Sequence, residues 1–191
     1  MLASYSIGDE PIPGYRLLKF LGRGGFGTVW LSTAPGGMEV ALKIIALSGQ
    51  QGRKEFRALR LVKNIRHANL VPIFALWLKD QYGNLMDDWL TEDTNYRMTQ
   101  AIAALPEADS RRPMELVLAM GLGDKTLGDR MKECQAAGHS GIPAKELIRH
   151  MESSSRAIEF MNEPRHEMCE KKADSIQHGD IKPQNIMMVS G

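Results

Sequence analysis

Three short motifs, in a fixed order along 191 residues, limit what this chain can fold into more than any other feature. The first, residues 21–29, is glycine-rich and reads LGRGGFGTV, and the second, residues 40–43, reads VALK. The third, residues 178–185, reads HGDIKPQN. Together they indicate a loop that covers phosphate groups, a lysine that holds them, and a loop that carries a carboxylate and a metal ligand.

The glycine-rich motif places Gly22, Gly24 and Gly27 where a backbone can approach phosphate closely, because glycine has no Cβ atom. On its own, this pattern fits a ligand-free hairpin as well. A dinucleotide-binding fold requires a helix directly after the loop, but residues 28–33 are β-forming. A Walker-type loop requires a lysine where this chain has Thr28. The motif is therefore predicted to join two strands.

The hydrophobic pattern predicts strands first and helices later. From Lys54 onward the apolar residues recur at helical spacing, whereas residues 164–175 are polar and predict a loop. Residues 80–113 are mixed and polar, which predicts an insertion that is either a docking surface or an inert excursion. The predicted strands are residues 16–21, 28–33, 39–45, 70–78 and 115–120, and the later helices are residues 126–137 and 144–162.

Lys43 stands in an otherwise apolar strand, and a buried ammonium requires an anionic partner. Phosphate oxygens and a carboxylate on the following helix are the natural candidates. Glu55 is the acid available on that helix, although the pattern of the protein kinases, which these motifs resemble, implies Ala58 at that position when counted from the His67 turn. Ala58 and Glu55 lie about one turn apart on the same helix face, so a helix longer by one turn restores the ion pair.

These motifs resemble those of the eukaryotic-like serine/threonine protein kinases, over the first part of the kinase domain. The resemblance implies an α+β, protein-kinase-like fold: an antiparallel β-sheet N-lobe with one helix, then the beginning of a helical C-lobe. It implies that residues 1–14 are an N-terminal segment and residues 15–191 a partial kinase domain. Within that domain, residues 15–118 would form the N-lobe, residues 119–123 the hinge and residues 124–191 the start of the C-lobe.

The resemblance also assigns roles to the third motif. Asp180 would act as the catalytic base, Lys182 would stabilise charge on the transferred phosphoryl group, and Asn185 would bind Mg²⁺. A lysine two residues after the aspartate is typical of the serine/threonine class, so the implied partner is a protein substrate with a serine or threonine hydroxyl. Gly179 replaces an arginine that grips a phosphorylated activation loop in the family, so we expect activity that does not depend on such phosphorylation.

The implied cofactors are ATP and Mg²⁺. Val29 and Ala41 would cover the adenine ring, and Gly22, Gly24, Gly27 and Lys43 would hold the phosphates. The backbones of Ala119 and Gly121 would face the adenine edge, with Leu118 as the gatekeeper side chain.

The net charge and the cysteine content indicate which kinds of partner and which cellular compartment suit this chain. A formal net charge of +1 gives no argument for nucleic acid as a partner. No apolar run reaches the roughly 18 residues that a membrane helix needs, and the first residues lack a secretory pattern. The two cysteines, Cys134 and Cys169, are typical of a reducing compartment. The sequence thus predicts a cytoplasmic protein and does not indicate an oligomeric state.

The chain ends at Gly191, before the position where the family has its Asp-Phe-Gly metal-binding element. We therefore expect these 191 residues alone to transfer phosphate very poorly. The alternative function is a non-catalytic nucleotide-binding or scaffolding module. A small-molecule kinase of the same fold fits less well, because residues 180–183, DIKP, follow the protein-kinase form.

Overall fold

Five antiparallel strands organise the first part of this chain in the structure, a computed structural model. The residues that it describes are 4–24, 27–47, 65–86, 113–164, 166–168 and 171–189. They fall into two units, the first comprising Met1–Ile65 and Ile73–Leu122 and the second comprising Arg66–Pro72 and Gly123–Gly191. The helix predicted from Lys54 lies outside the described residues.

The first unit is built on one sheet with the strand order β1-β2-β3-β5-β4. Four of the predicted strands are present within one to three residues of their expected bounds, and the fifth begins at Ile73, after Pro72, rather than at residue 70. Proline lacks the N–H that a ladder needs, which explains the later start. The strands are β1 (Arg16–Gly24), β2 (Gly27–Thr33), β3 (Glu39–Ala46), β4 (Ile73–Lys79) and β5 (Glu115–Met120).

The sheet buries apolar side chains on both faces, because successive side chains of a strand point in opposite directions. Strand β5 lies between β3 and β4, and its residues from Glu115 to Ala119 are all buried. Val117 and Ala119 belong to one apolar cluster with Leu42 and Ile44, whereas Leu116 and Leu118 belong to another. We call the face that carries Val117 and Ala119 the outer face, and the face that carries Leu116 and Leu118 the inner face.

A tight turn follows β4 and begins the region predicted as an insertion. The Asp80 carboxylate accepts hydrogen bonds from the backbone N–H groups of Tyr82 and Asn84, at 2.8 and 2.9 Å. The turn brings Leu85 and Met86 back against the two apolar clusters of the sheet. Residues 87–112 lie outside the described residues, so an insertion there stays a prediction.

The second unit contains two helices, α1 (Leu127–Ala136) and α2 (Ala144–Asn162), close to their predicted bounds. Helix α1 begins in a capping box, in which Thr126 and Asp129 satisfy each other's backbone N–H groups. The short strands β6 (Lys125–Thr126) and β9 (Met187–Met188) pair with each other. None of the described helices is long and apolar enough to cross a membrane.

The loop predicted for residues 164–175 is wrong. Strands β7 (His166–Met168) and β8 (Lys171–Asp174) form an antiparallel hairpin there. The ladder pairs backbone groups, so it needs no apolar alternation, and a polar sequence gives little signal for it.

An ion-pair network joins the two helices of the second unit. The Arg130 guanidinium donates from Nε to Glu146 Oε1 at 2.7 Å and from Nη2 to Glu146 Oε2 at 3.0 Å. Glu133 accepts from Lys125 at 2.6 Å and from Arg130 at 3.4 Å. The hydrogen bond from Arg130 lowers the pKa of Glu146, and the hydrogen bond from Lys125 lowers the pKa of Glu133.

This network predicts acid sensitivity of the second unit. A glutamate whose pKa is lowered in the folded state stabilises it fully above the ordinary value of 4.5, and this contribution is lost as pH falls through the lowered value. We therefore expect the melting temperature to fall as the pH is lowered below about 4.5, and to fall less steeply in Glu146→Gln. Thermal unfolding followed by circular dichroism at several pH values measures both slopes. Parallel slopes for the two proteins would contradict this role of Glu146.

Candidate functional site

A row of register partners crosses four strands of the first unit and contains several of the predicted site residues. Gly22 pairs with Val29, Val29 pairs with Lys43, and Lys43 pairs with Leu118. Ala41 lies two residues before Lys43, so both side chains point to the inner face, as does Leu118. Because neighbouring strands lie about 4.8 Å apart, the row extends over roughly 15 Å.

The three glycines of the first motif differ in what surrounds them. Among the described residues, a Cβ atom added to Gly22 or Gly24 would meet nothing within 4 Å, and neither residue has a positive φ. Gly27 has a φ of 138°, and a Cβ atom there would overlap the carbonyl oxygen of Ile44. The fold therefore requires glycine at position 27, whereas the space beside Gly22 and Gly24 is open to a ligand.

Lys43 is half-buried on β3, while Leu118 opposite it on β5 is 1% exposed. An ammonium in such surroundings can meet an anion without competition from a full hydration shell. Glu55 and Ala58 lie outside the described residues, so the ion pair with Lys43 stays a prediction.

Ala119 and Gly121, whose backbones were predicted to face a ligand, lie on different sides of the end of β5. Ala119 is fully buried and has register partners on both sides, Leu42 on β3 and Ala75 on β4. Its backbone therefore lies inside the ladder. Gly121 follows the last residue of the strand, Met120, so its backbone lies beyond the ladder.

The third motif brings three predicted residues of the second unit into contact. Lys182 Nζ lies 2.8 Å from Asp180 Oδ2, and Asn185 Nδ2 donates to the same oxygen at 2.9 Å. Asn185 Nδ2 also donates to the backbone oxygen of Asp180 at 2.7 Å. His178 contributes through its Nδ1 atom, which accepts from the Asp180 N–H at 3.3 Å, so it shapes the turn.

The electrostatics of this cluster keep the Asp180 carboxylate charged. Hydrogen bonds from Lys182 and Asn185 lower the pKa of Asp180 below its ordinary value. The side chains of Asp180 and Lys182 are each nearly half exposed, so a substrate can reach them. The carboxylate is thus suited to orient a hydroxyl group by accepting its hydrogen bond.

Gly179 adopts a conformation that explains its identity. Its φ is 71°, in the left-handed region, where a side chain with a Cβ atom costs about 1–2 kcal/mol. The peptide after it thereby presents the Asp180 N–H to His178. Glycine at position 179 therefore avoids backbone strain in the loop.

The start of α1 holds the segment that follows the Asp180 cluster. Leu127 N donates to the Ile186 backbone oxygen at 2.8 Å, and a Cβ atom at Gly128 would contact the Gln184 side chain at 3.3 Å. A Cβ atom at Gly123 would overlap the side chain of Met187. The supporting roles of Gly123 and Gly128 were not predicted from the sequence. A glycine at or near the start of a helix is the only sequence signal for this role, and it has no fixed spacing to the motif of residues 178–185.

Oxygen donors suited to a hard cation are present beside Asp180. Asn185 uses its amide nitrogen on Asp180, which leaves its Oδ1 atom as the donor for a metal ion. Mg²⁺ in nucleotide sites takes one or two protein oxygens and completes its shell with phosphate and water. Among the described residues, no group of three or more His, Cys, Asp and Glu side chains could hold a metal ion by itself. The residues therefore fit Mg²⁺ only as part of a shell that a nucleotide completes.

Two plant proteins resemble parts of this chain in sequence. A proline-rich receptor-like protein kinase of Arabidopsis thaliana, PERK8, is 30% identical over 92 residues, which are 48% of this chain and 14% of the relative. A probable L-type lectin-domain containing receptor kinase, I.5, of the same organism is 43% identical over 63 residues, or 32% of this chain and 9% of the relative. The chain thus spans a small part of these relatives. No protein-family model matches it.

The fold resembles a solved bacterial structure along nearly the whole chain. The crystal structure of the Mycobacterium tuberculosis PknI kinase domain matches 98% of this chain with a TM-score of 0.61 at 16% identity. The match covers 59% of that domain. A double mutant of the same domain matches 99% of this chain with a TM-score of 0.59. The antiparallel sheet and the following helices therefore have the fold of the first part of that domain.

Proposed function

Because this chain is related in sequence to protein kinases and has the fold of the first part of a kinase domain, we propose that it belongs to a serine/threonine protein kinase. It binds ATP with Mg²⁺, and the enzyme transfers the γ-phosphate to hydroxyl groups of a protein substrate. ATP supplies the phosphoryl group and Mg²⁺ neutralises its charge. The buried, free thiol of Cys134 supports a reducing, cytoplasmic setting.

The row from Gly22 to Leu118 is the observation that supports nucleotide binding most strongly. Open space beside Gly22 and Gly24 admits phosphate oxygens, and the half-buried Lys43 lies two strands away in the same row. Val29 is next to Lys43 in register, and Ala41 shares its face, so both offer apolar surface to an adenine ring. Gly121, beyond the ladder, offers its backbone to the adenine edge more readily than Ala119 does.

The Asp180 cluster supports the transfer step. The ionised Asp180 carboxylate accepts a hydrogen bond from the substrate hydroxyl, which orients its oxygen for attack and receives its proton. Lys182, 2.8 Å from that carboxylate, places a positive charge where the phosphoryl group is transferred. Asn185 binds the cation through Oδ1 while its amide nitrogen holds Asp180 in position. The position of Lys182 favours serine and threonine as acceptors.

The proposed nucleotide site is tested by titrating the chain with magnesium ATP in a calorimeter. We expect saturable binding, weakened at least tenfold by Lys43→Met, because a charge-assisted contact to phosphate is lost. Lys19→Met is the matched control, since Lys19 is exposed on β1 of the same sheet. If the chain binds no nucleotide, or if both variants bind as the wild type does, Lys43 does not hold phosphate.

A further inference from the structure

A buried polar cluster lies at the junction of β4, β5 and the residues that precede β1. Lys79 and Glu115 are register partners, 8% and 6% exposed, with Lys79 Nζ 3.7 Å from Glu115 Oε1. Tyr5 Oη donates to Glu115 Oε1 at 2.5 Å and accepts from Lys79 Nζ at 3.0 Å. Lys79 Nζ also donates to the backbone oxygen of Pro11 at 3.0 Å. Two of the three partners of this ammonium thus come from the amino-terminal residues.

The same residues cover the outer face of the sheet. Ile12 is 2% exposed and belongs to the apolar cluster of Val117 and Ala119. Tyr15 packs edge-on against Trp77 of β4, with ring centroids 4.9 Å apart. Backbone hydrogen bonds from Gly8 N to Leu17 O and from Leu17 N to Asp9 O, at 2.8 and 2.9 Å, hold the residues beside β1. We call residues 4–15 the clasp.

The buried pair of Lys79 and Glu115 needs the hydrogen bonds that the clasp provides. A buried ammonium and a buried carboxylate are stable only when further hydrogen bonds satisfy them. Burial and the hydrogen bond to Glu115 raise the pKa of the Tyr5 hydroxyl, so it remains a donor at physiological pH. If Tyr5 left its position, Glu115 would lose its shortest hydrogen bond and Lys79 would lose one of two direct acceptors. The first residues of β5 would then be held less firmly.

From this geometry we infer that Tyr5 is a positioning residue: through Glu115 it holds β5 in place, and the clasp thereby controls how tightly the first unit binds its nucleotide. The second part of this inference rests on the proposed function. Glu115, Val117 and Ala119 alternate along β5 on the face that the clasp covers. Leu118 and Gly121 on the same strand and just beyond it belong to the proposed nucleotide surface. A loosened β5 therefore changes their distance from Lys43.

The test compares Tyr5→Phe with the wild-type chain by hydrogen exchange and by titration with magnesium ATP. Tyr5→Phe keeps the ring but removes the hydroxyl, so we expect the backbone amides of β5 to lose about tenfold in protection. We expect the dissociation constant for magnesium ATP to rise by roughly threefold to tenfold. Tyr82→Phe is the matched control, because Tyr82 is 74% exposed in the turn after β4 of the same unit, and it should change neither quantity. Glu115→Gln keeps the shape of its side chain and should reproduce both effects.

The outcomes separate the clasp from the proposed function. Unchanged protection of β5 in both Tyr5→Phe and Glu115→Gln overturns the clasp. Lost protection with an unchanged dissociation constant, measured below the melting transition, overturns the control of nucleotide binding and leaves Tyr5 a purely structural residue. If the wild-type chain binds no nucleotide, the proposed function and the control both fall, while lost protection in Tyr5→Phe still supports the clasp.

Discussion

Asp180→Asn is expected to slow phosphoryl transfer by roughly 10²–10⁴-fold, the usual contribution of a positioned general base. The structure gives the reason for such a large effect. Asp180 is held ionised by Lys182 and Asn185, which donate to its Oδ2 atom at 2.8 and 2.9 Å. Asparagine retains the shape but loses the negative charge that orients the substrate hydroxyl. Magnesium ATP binding should stay within about twofold of wild type, because the substitution leaves Lys43, Asn185 and the other residues that are proposed to bind magnesium ATP unchanged.

The measurement uses the protein made from its whole coding sequence, with radiolabelled ATP and a generic protein substrate. Glu152→Gln is the matched control, since Glu152 is an exposed carboxylate on α2 that pairs only with Arg156 among the contacts described. It should leave transfer unchanged. Equal transfer by Asp180→Asn and wild type would remove Asp180 from catalysis. Nucleotide binding with no transfer by either protein would favour the non-catalytic module.

Gly27→Ala is expected to destabilise the first unit by roughly 2–4 kcal/mol, whereas Gly22→Ala and Gly24→Ala should cost less than about 1 kcal/mol. The Cβ atom of an alanine at position 27 would overlap the Ile44 carbonyl oxygen. The alanine would also have to adopt a φ of 138°. At Gly22 and Gly24 a Cβ atom meets open space with an ordinary φ. Within the part of the chain that the structure describes, no neighbouring atom requires glycine at these two positions.

The same three variants distinguish a ligand loop from a simple hairpin. If phosphate groups approach the backbone at Gly22 and Gly24, alanine there should weaken magnesium ATP binding by about tenfold while the urea midpoint stays near that of the wild type. Gly27→Ala should lower the urea midpoint. Full nucleotide affinity in Gly22→Ala and Gly24→Ala would indicate that the loop does not contact phosphate.

The strands could be predicted because their signal is local. Residues of β1, β2, β3 and β5 are β-forming and bounded by glycine or by a turn, so each could be placed from its own sequence. The same is true of α2, whose apolar residues recur at helical spacing, and of α1, whose capping residue Thr126 directly precedes it. The polar hairpin of β7 and β8 was missed because backbone pairing leaves no pattern in side chains.

The candidate site could be predicted in part. The sequence places Asp180, Lys182 and Asn185 within six residues, and in the structure these three side chains are in contact, while their roles stay predictions. It offered no means of telling Gly27, which the fold needs, from Gly22 and Gly24. That difference depends on the position of Ile44 on another strand.

The contacts of the clasp with Lys79 and Glu115 could not be predicted from local sequence. Tyr5 lies 74 positions before Lys79 and 110 positions before Glu115, and none of the three residues belongs to a motif. In the sequence, Lys79 and Glu115 are simply charged residues at the ends of two strands, β4 and β5. Only the register of β4 on β5 makes them neighbours, and only burial makes the Tyr5 hydroxyl matter to both.

The sequence by itself determined the strands of the five-stranded sheet, the two later helices and which chemical groups lie close along the chain, because propensity, capping and motif spacing act over a few residues. The tertiary structure alone decided which glycines are structural, which backbone lies beyond the ladder, and which buried charges meet. These are properties of strand register and packing between distant segments, and they depend on free energies that no single segment contains.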